Sequence, residues 1–166
     1  MRALPTFDQV LDLPLALRRV ITTEYADDNG HMNVRHYVGI FDDAEWEFYD
    51  QMGMGYAAAQ QGMGGVFMLE QQVTYRREVL VGDEVAVHVR VLERTDKVMH
   101  SIAYLINHTR REVSAAMEGL ECWVGYDSRR ISAFPAEGGQ ALDRLIEQAA
   151  ELDWQPELCG SLDLIT

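Results

Sequence analysis

The chain has 166 residues, 48% hydrophobic and 25% charged, ordinary proportions for a single globular domain. A formal net charge of −13 disfavours nucleic acid and anionic membranes as partners. No apolar run approaches the roughly 20 residues that cross a bilayer. Aspartates interrupt the N-terminal stretch where a secretion signal would be unbroken. Cys122 and Cys159 form no metal-type spacing, so the expectation is a cytoplasmic protein with reduced cysteines and no metal or cofactor.

The charge is unevenly placed. Residues 1–75 carry 4 basic and 11 acidic side chains and residues 131–166 carry 1 and 7, whereas residues 76–130 carry 9 of each. All but one of the basic residues are arginine, whose planar fork suits phosphate and carboxylate. The middle third could therefore hold a small anionic ligand.

In chain order, "RRVITTEY" (18–25) is short and β-branched, a strand candidate. A dense polar loop follows. From Val34, the apolar positions Tyr37, Val38, Phe41, Ala44, Phe48 and Met52 keep helical spacing. Asn33 is a plausible N-cap, and the glycines of "MGMG" (52–55) supply the stop. About 19 residues at 1.5 Å each predict a helix near 28 Å long. Four strand-like runs come next, at 66–77, 84–94, 98–107 and 112–126, spaced as an antiparallel meander. Leu142, Leu145, Ile146 and Ala149 predict a short surface helix over 139–152. One long helix and about five strands bury each other's apolar faces most simply when the sheet curls around the helix, an α+β solution. The sheet edge then needs cover, which a symmetric dimer supplies; two dimers could pair into a tetramer.

The element order, with "DDNGHMNVRHY" (27–37) at the helix entrance, resembles the hotdog-fold acyl-CoA thioesterases. It is similar to the 4-hydroxybenzoyl-CoA thioesterase-like branch whose loop reads Asp-x-x-Gly-His-x-Asn, here Asp27, Gly30, His31 and Asn33. "LEQQVTYRREVLVGDEVAV" (69–87) resembles the second strand and following turn of that family. The likeness spans residues 18–135, and "NGHMN" with "LEQQVTYRRE" looks closest to thioesterases that accompany carnitine and betaine catabolism. That narrower likeness would imply an aromatic cage for a quaternary ammonium, assisted by acidic side chains.

Thioester hydrolysis needs water or a carboxylate at the carbonyl carbon, and donors for the oxyanion that forms. The resemblance implies that Asp27 is the general base or nucleophile, with Asp28 the adjacent competitor. It also implies that the backbone N–H of Val34 is the oxyanion donor, at a helix N-terminus where such groups are unpaired. Gly30 would admit the thioester closely, and His31 or Asn33 would position the water or acyl group. Each has a plainer alternative, since Asp-Asn-Gly forms turns unaided and a cap alone accounts for Asn33. His31 and His36, five apart, share no helical face, which argues against a metal pair.

For the substrate, Tyr37 and Glu70 are candidates, although Glu70, at the start of an apolar strand, reads equally as a charge protecting a sheet edge. Arg76, Arg77, Arg110 and Arg111 are candidates for coenzyme A phosphates, as are Arg90, Arg94 and Lys97. Phe41, Trp46, Phe48 and Tyr49 could close the acyl pocket or be core. Glu45 and Glu47 read as solvated or interfacial. The alternatives are a hydratase or dehydratase on an acyl thioester, with His31 as its base, and a non-catalytic acyl-CoA-binding protein.

Overall fold

The computed structural model describes residues 3–164. A short helix α1 (Phe7–Leu11) opens it, held by a capping box in which Thr6 and Gln9 exchange side-chain-to-backbone hydrogen bonds. Strand β1 covers Leu15–Val20, and a 3-10 turn follows at Thr23–Tyr25. The strand expected at 18–25 is therefore displaced. β1 pairs with its neighbour only as far as Val20, and after the Ile21 N–H···Asp83 O bond the chain leaves the sheet.

Helix α2 (Val34–Asp50) begins at the expected residue and ends two residues early, where Gly53 turns the chain at φ +69°. The short helix α3 (Tyr56–Gln60) leads into β2 (Gly64–Tyr75), β3 (Glu84–Arg94), β4 (Val98–Asn107), β5 (Glu112–Gly125) and the two-residue β6 (Arg130–Ile131). α4 (Ala136–Ala150) starts behind Pro135, three residues before the glycine expected to open it. Proline is well suited to a helix entrance.

The strands pair in the order β1-β3-β4-β5-β2, all antiparallel, with β6 on the end of β5. This corrects the four-strand meander. Tight turns at 95–97 and 108–111 make true hairpins of β3-β4 and β4-β5, but residues 76–83 carry the chain across the sheet. β2 therefore lies beyond β5, pairing from Gly64↔Gly125 to Tyr75↔Ala115, and no strand among the described residues pairs with its other edge.

The sheet wraps α2 as expected. Ile40, Phe41, Ala44 and Phe48 pack with Val87, Val89, Leu105, Met117 and Trp123 in one buried cluster. Phe41 is fully buried, and burial of a side chain that size is worth about 2–3 kcal/mol. The opposite, outer face of the sheet is also apolar. Ile102, Tyr104 and Ile106 meet Phe7 and Val10 of α1 and Trp154 from the C-terminal segment.

Arg90 sits in this outer layer, 3% exposed, and donates to the carbonyls of Trp154 (3.0 Å) and Ala149 (2.9 Å) and to Gln155. Arg94 forms a two-pronged pair with Asp143 of α4 at 2.7 and 2.6 Å. Both were phosphate candidates. They instead fasten the C-terminal elements to the sheet, which accounts for a use of arginine that composition alone assigns to a ligand.

Candidate active site

The loop before α2 is a stack of turns. Asp27 O accepts from the Gly30 N–H at 3.0 Å, and the Asp27 carboxylate accepts from the Asn29 N–H at 2.9 Å. Gly30 has φ +84°, and a Cβ built there meets nothing within 4 Å. Glycine is needed for that left-handed backbone rather than for close packing within the chain. The Asp27 N–H···His31 O bond (3.0 Å) closes the loop on itself, and the Met32 N–H···Val79 O bond (2.7 Å) ties it to the 76–83 crossover.

Asn33 caps α2: its side chain accepts from the Arg35 N–H at 3.1 Å, and its carbonyl from the His36 N–H at 3.0 Å. The Val34 N–H has no acceptor among the described residues, as expected of a first-turn donor. Val34 is 58% exposed, so α2 begins at the surface.

An open groove of about 410 Å³ has Val34 in its wall. It brings together Asp27, His31, Asn33, Val34, Tyr37, Arg76 and Arg77 from the candidates, and adds Met32, Tyr75 and Glu78. The Asp27 carboxylate lies 3.7 Å from His31 Nδ1 with its side chain 20% exposed. Partial burial works against its charge, but the Asn29 hydrogen bonds and the nearby His31 outweigh this and hold the carboxyl below its usual range. An ionised carboxylate and an unpaired amide in the wall of one groove can between them deprotonate water or attack a carbonyl whose oxygen the amide receives. Tyr37 stands edge-on to Tyr75 at 5.1 Å, and burial first, then Tyr75, push its hydroxyl up to about 12. It remains a neutral donor.

The other candidates fall elsewhere. Gly30 shapes the loop without lining the groove, and Glu70 is exposed on β2. Arg110 lies 3.2 Å from Asp83 and 3.9 Å from Glu78, and Arg111 lies 2.6 Å from Asp8 and over the Phe7 ring. Neither reaches the groove. Arg77 is 3.5 Å from Glu112 and, with Arg76, also lines an adjoining groove against residues 3–7.

A second cavity of about 250 Å³ opens between the far half of α2 and the start of β2. Asp42, Glu45, Trp46 and Tyr49 from the helix, Phe67 from β2 and Tyr126 wall it, and none of its lining residues is basic. Trp46 stacks on Tyr56 at 4.5 Å. Of the two readings of Glu45, solvated or interfacial, the cavity wall removes the solvated one. Burial, then Asp42, raise its carboxyl to about 8. Helical spacing could not show this, because the wall opposite Glu45 comes from a strand about twenty residues away.

The sequence signature of the thioesterase-like superfamily matches residues 21–145. The chain belongs to that superfamily. Its fold is the hotdog fold, shared with solved thioesterase-like structures. A Staphylococcus aureus protein in complex with CoA superposes with a TM-score of 0.80 at 21% identity, over 92% of this chain and 97% of that one. A 1,4-dihydroxy-2-naphthoyl-CoA thioesterase from Synechocystis gives 0.65 at 10% identity, over 84% and 97%. A Thermus thermophilus thioesterase complexed with coenzyme A and Zn gives 0.66 at 19%, over 78% and 98%. No curated protein matches the chain. Among the described residues, no helix is long and apolar enough to cross a membrane and no cluster of metal-binding side chains occurs.

Proposed function

We propose that this member of the thioesterase-like superfamily is a cytoplasmic acyl-CoA thioester hydrolase, with Asp27 as general base or nucleophile and the Val34 N–H as oxyanion donor. One observation carries it: an ionised carboxylate and an unpaired helix N-terminal amide line the same groove. His31 and Asn33 flank them, and Tyr37 with Tyr75 forms an apolar wall with polar tips. Arg76 and Arg77 lie where the groove continues along the crossover, suited to the phosphates of coenzyme A. Two of the structural neighbours hold CoA.

The site is completed by a second copy. β2 offers a free edge twelve residues long, with Phe67, Leu69 and Tyr75 exposed. Antiparallel pairing of two such edges about Gln71 sets Phe67 of one copy beside Tyr75 of the other. The cavity of one protomer then adjoins the groove of its partner. Within one chain, Glu45 and Val34 lie eleven residues apart on α2, about 16 Å, too far for a short acyl group to span.

That cavity narrows the acyl group. Aromatic walls, two carboxylates and no basic side chain suit an acyl chain ending in a positive charge. The sequence likeness to the carnitine- and betaine-associated branch points the same way.

The test is a panel of acyl-CoAs with a thiol reagent. It includes trimethylammonio-acyl-CoAs and the isosteres in which carbon replaces nitrogen. Free CoA should be released, with the cationic acyl group preferred. Hydration of an enoyl-CoA without thioester cleavage, or CoA binding without turnover, would overturn the hydrolase assignment.

A further inference from the structure

Next to the aromatic cavity the structure holds a carboxylate that neither the catalytic groove nor the fold requires. Glu121 lies on β5 with Ala115, Met117 and Trp123 on the helix-facing side, and its pairing partner on β2 is Met68, a cavity wall. It is 1% exposed. Ser101 Oγ donates to its Oε1 at 2.7 Å, while Oε2 has no hydrogen-bond partner among the described residues. A buried carboxylate with one donor and a bare oxygen is far more costly ionised than protonated. Glu45, in the cavity wall, is near enough to act on it electrostatically. Two buried acids in this relation do not both ionise without a cation between or beside them.

We propose that Glu45 and Glu121 form a proton-exchanging selectivity pair: the empty cavity keeps the pair protonated, and a positively charged acyl end displaces a proton to solvent as it enters. This rests on the cationic-acyl assignment above and adds the residues and the linkage that produce it. A neutral acyl end of the same shape would leave the proton in place and forgo the ionic contact. Selectivity thus arises from the protonation state of the wall as much as from its shape. The titratable groups facing Glu45 are Asp42 and Tyr49 on its own helix, Glu121 from β5 and Tyr126 beyond it. Burial first raises both, with Asp42 adding to the shift of Glu45 and Glu45 adding to that of Glu121, so each is displaced toward its protonated form.

The experiment is calorimetric titration of the full-length protein at pH 7, in phosphate and in Tris. The unhydrolysed probes are S-(4-trimethylammoniobutyl)-CoA and its uncharged isostere S-(5,5-dimethylhexyl)-CoA. The buffer dependence of the binding heat should report release of close to one proton with the cationic probe and none with the isostere. In E45Q the release should disappear and the affinity preference, about tenfold or more in the unaltered protein, should shrink toward parity. E121Q tests the second member independently, and the two probes on the unaltered chain keep the test open should a variant fold poorly. Equal proton release with both probes, or a cationic preference without any release, would overturn the exchange and leave the cationic-acyl assignment standing. Equal affinity for the two probes would overturn that assignment itself.

Discussion

At residue 34, a proline substitution separates the amide from the side chain. Proline is favoured at the first helical position, where its missing N–H is an orphan in any case. The preceding Asn33 has φ −65° and ψ 142°, compatible with a following proline. Val34→Pro should therefore fold normally yet lose its oxyanion donor, lowering kcat by about 100- to 1,000-fold with little change in KM. Circular dichroism and steady-state kinetics check both halves. Asp27→Asn should lower kcat by at least about 100-fold, and acyl-CoA binding measured directly should persist. By contrast, Asn33→Ala removes a cap, so its signature is a loss of about 1 kcal/mol in denaturant unfolding.

Elements show where sequence informs and where it does not. α2 was legible because its apolar spacing and its cap both announce themselves locally, and the strands because alternation and turns bounded them. Strand order was not legible. Whether residues 76–83 make a hairpin or a crossover depends on which edge accepts β2, and nothing local records that. In the site, Asp27, Gly30 and Asn33 share one contiguous loop and could be placed together; Tyr75 and Glu78 join them only after the crossover returns to the loop. Arg90 was misread for a related reason, since its carbonyl partners lie some sixty residues onward. Arg90→Ala should free the C-terminal segment and cost about 3 kcal/mol, as loss of charge-assisted hydrogen bonds to buried carbonyls does. Faster hydrogen exchange confined to residues 149–158 would show it.

For the molecule as a whole, the two raised acids set a pH dependence opposite in sign to that of ordinary salt-bridged carboxylates. Glu45 titrates near 8 in the folded chain against 4.5 in the unfolded one, and Glu121 is also shifted upward. Between those values the folded state binds more protons, so stability declines as pH rises from about 5 and levels off beyond about 8. Glu45→Gln should flatten that decline and raise the melting temperature at pH 8 by about 2–4 °C for each kcal/mol recovered. Thermal melts from pH 5 to 9 measure both. A wild-type curve that climbs over this interval would contradict the assignment.

The layer that α1, Trp154 and the residues around Arg90 lay over the outer sheet has a consequence for growth in number. With that surface covered by the chain itself, back-to-back stacking of sheets is disfavoured, and strand borders become the better docking lines. β1 is six residues long and carries Arg18 and Arg19, a poor invitation to a newcomer; β2 is the long and greasy border. Copies that meet through one border related by a twofold axis run out of valence at two, so sedimentation should find a single dimeric species over a wide range of concentration.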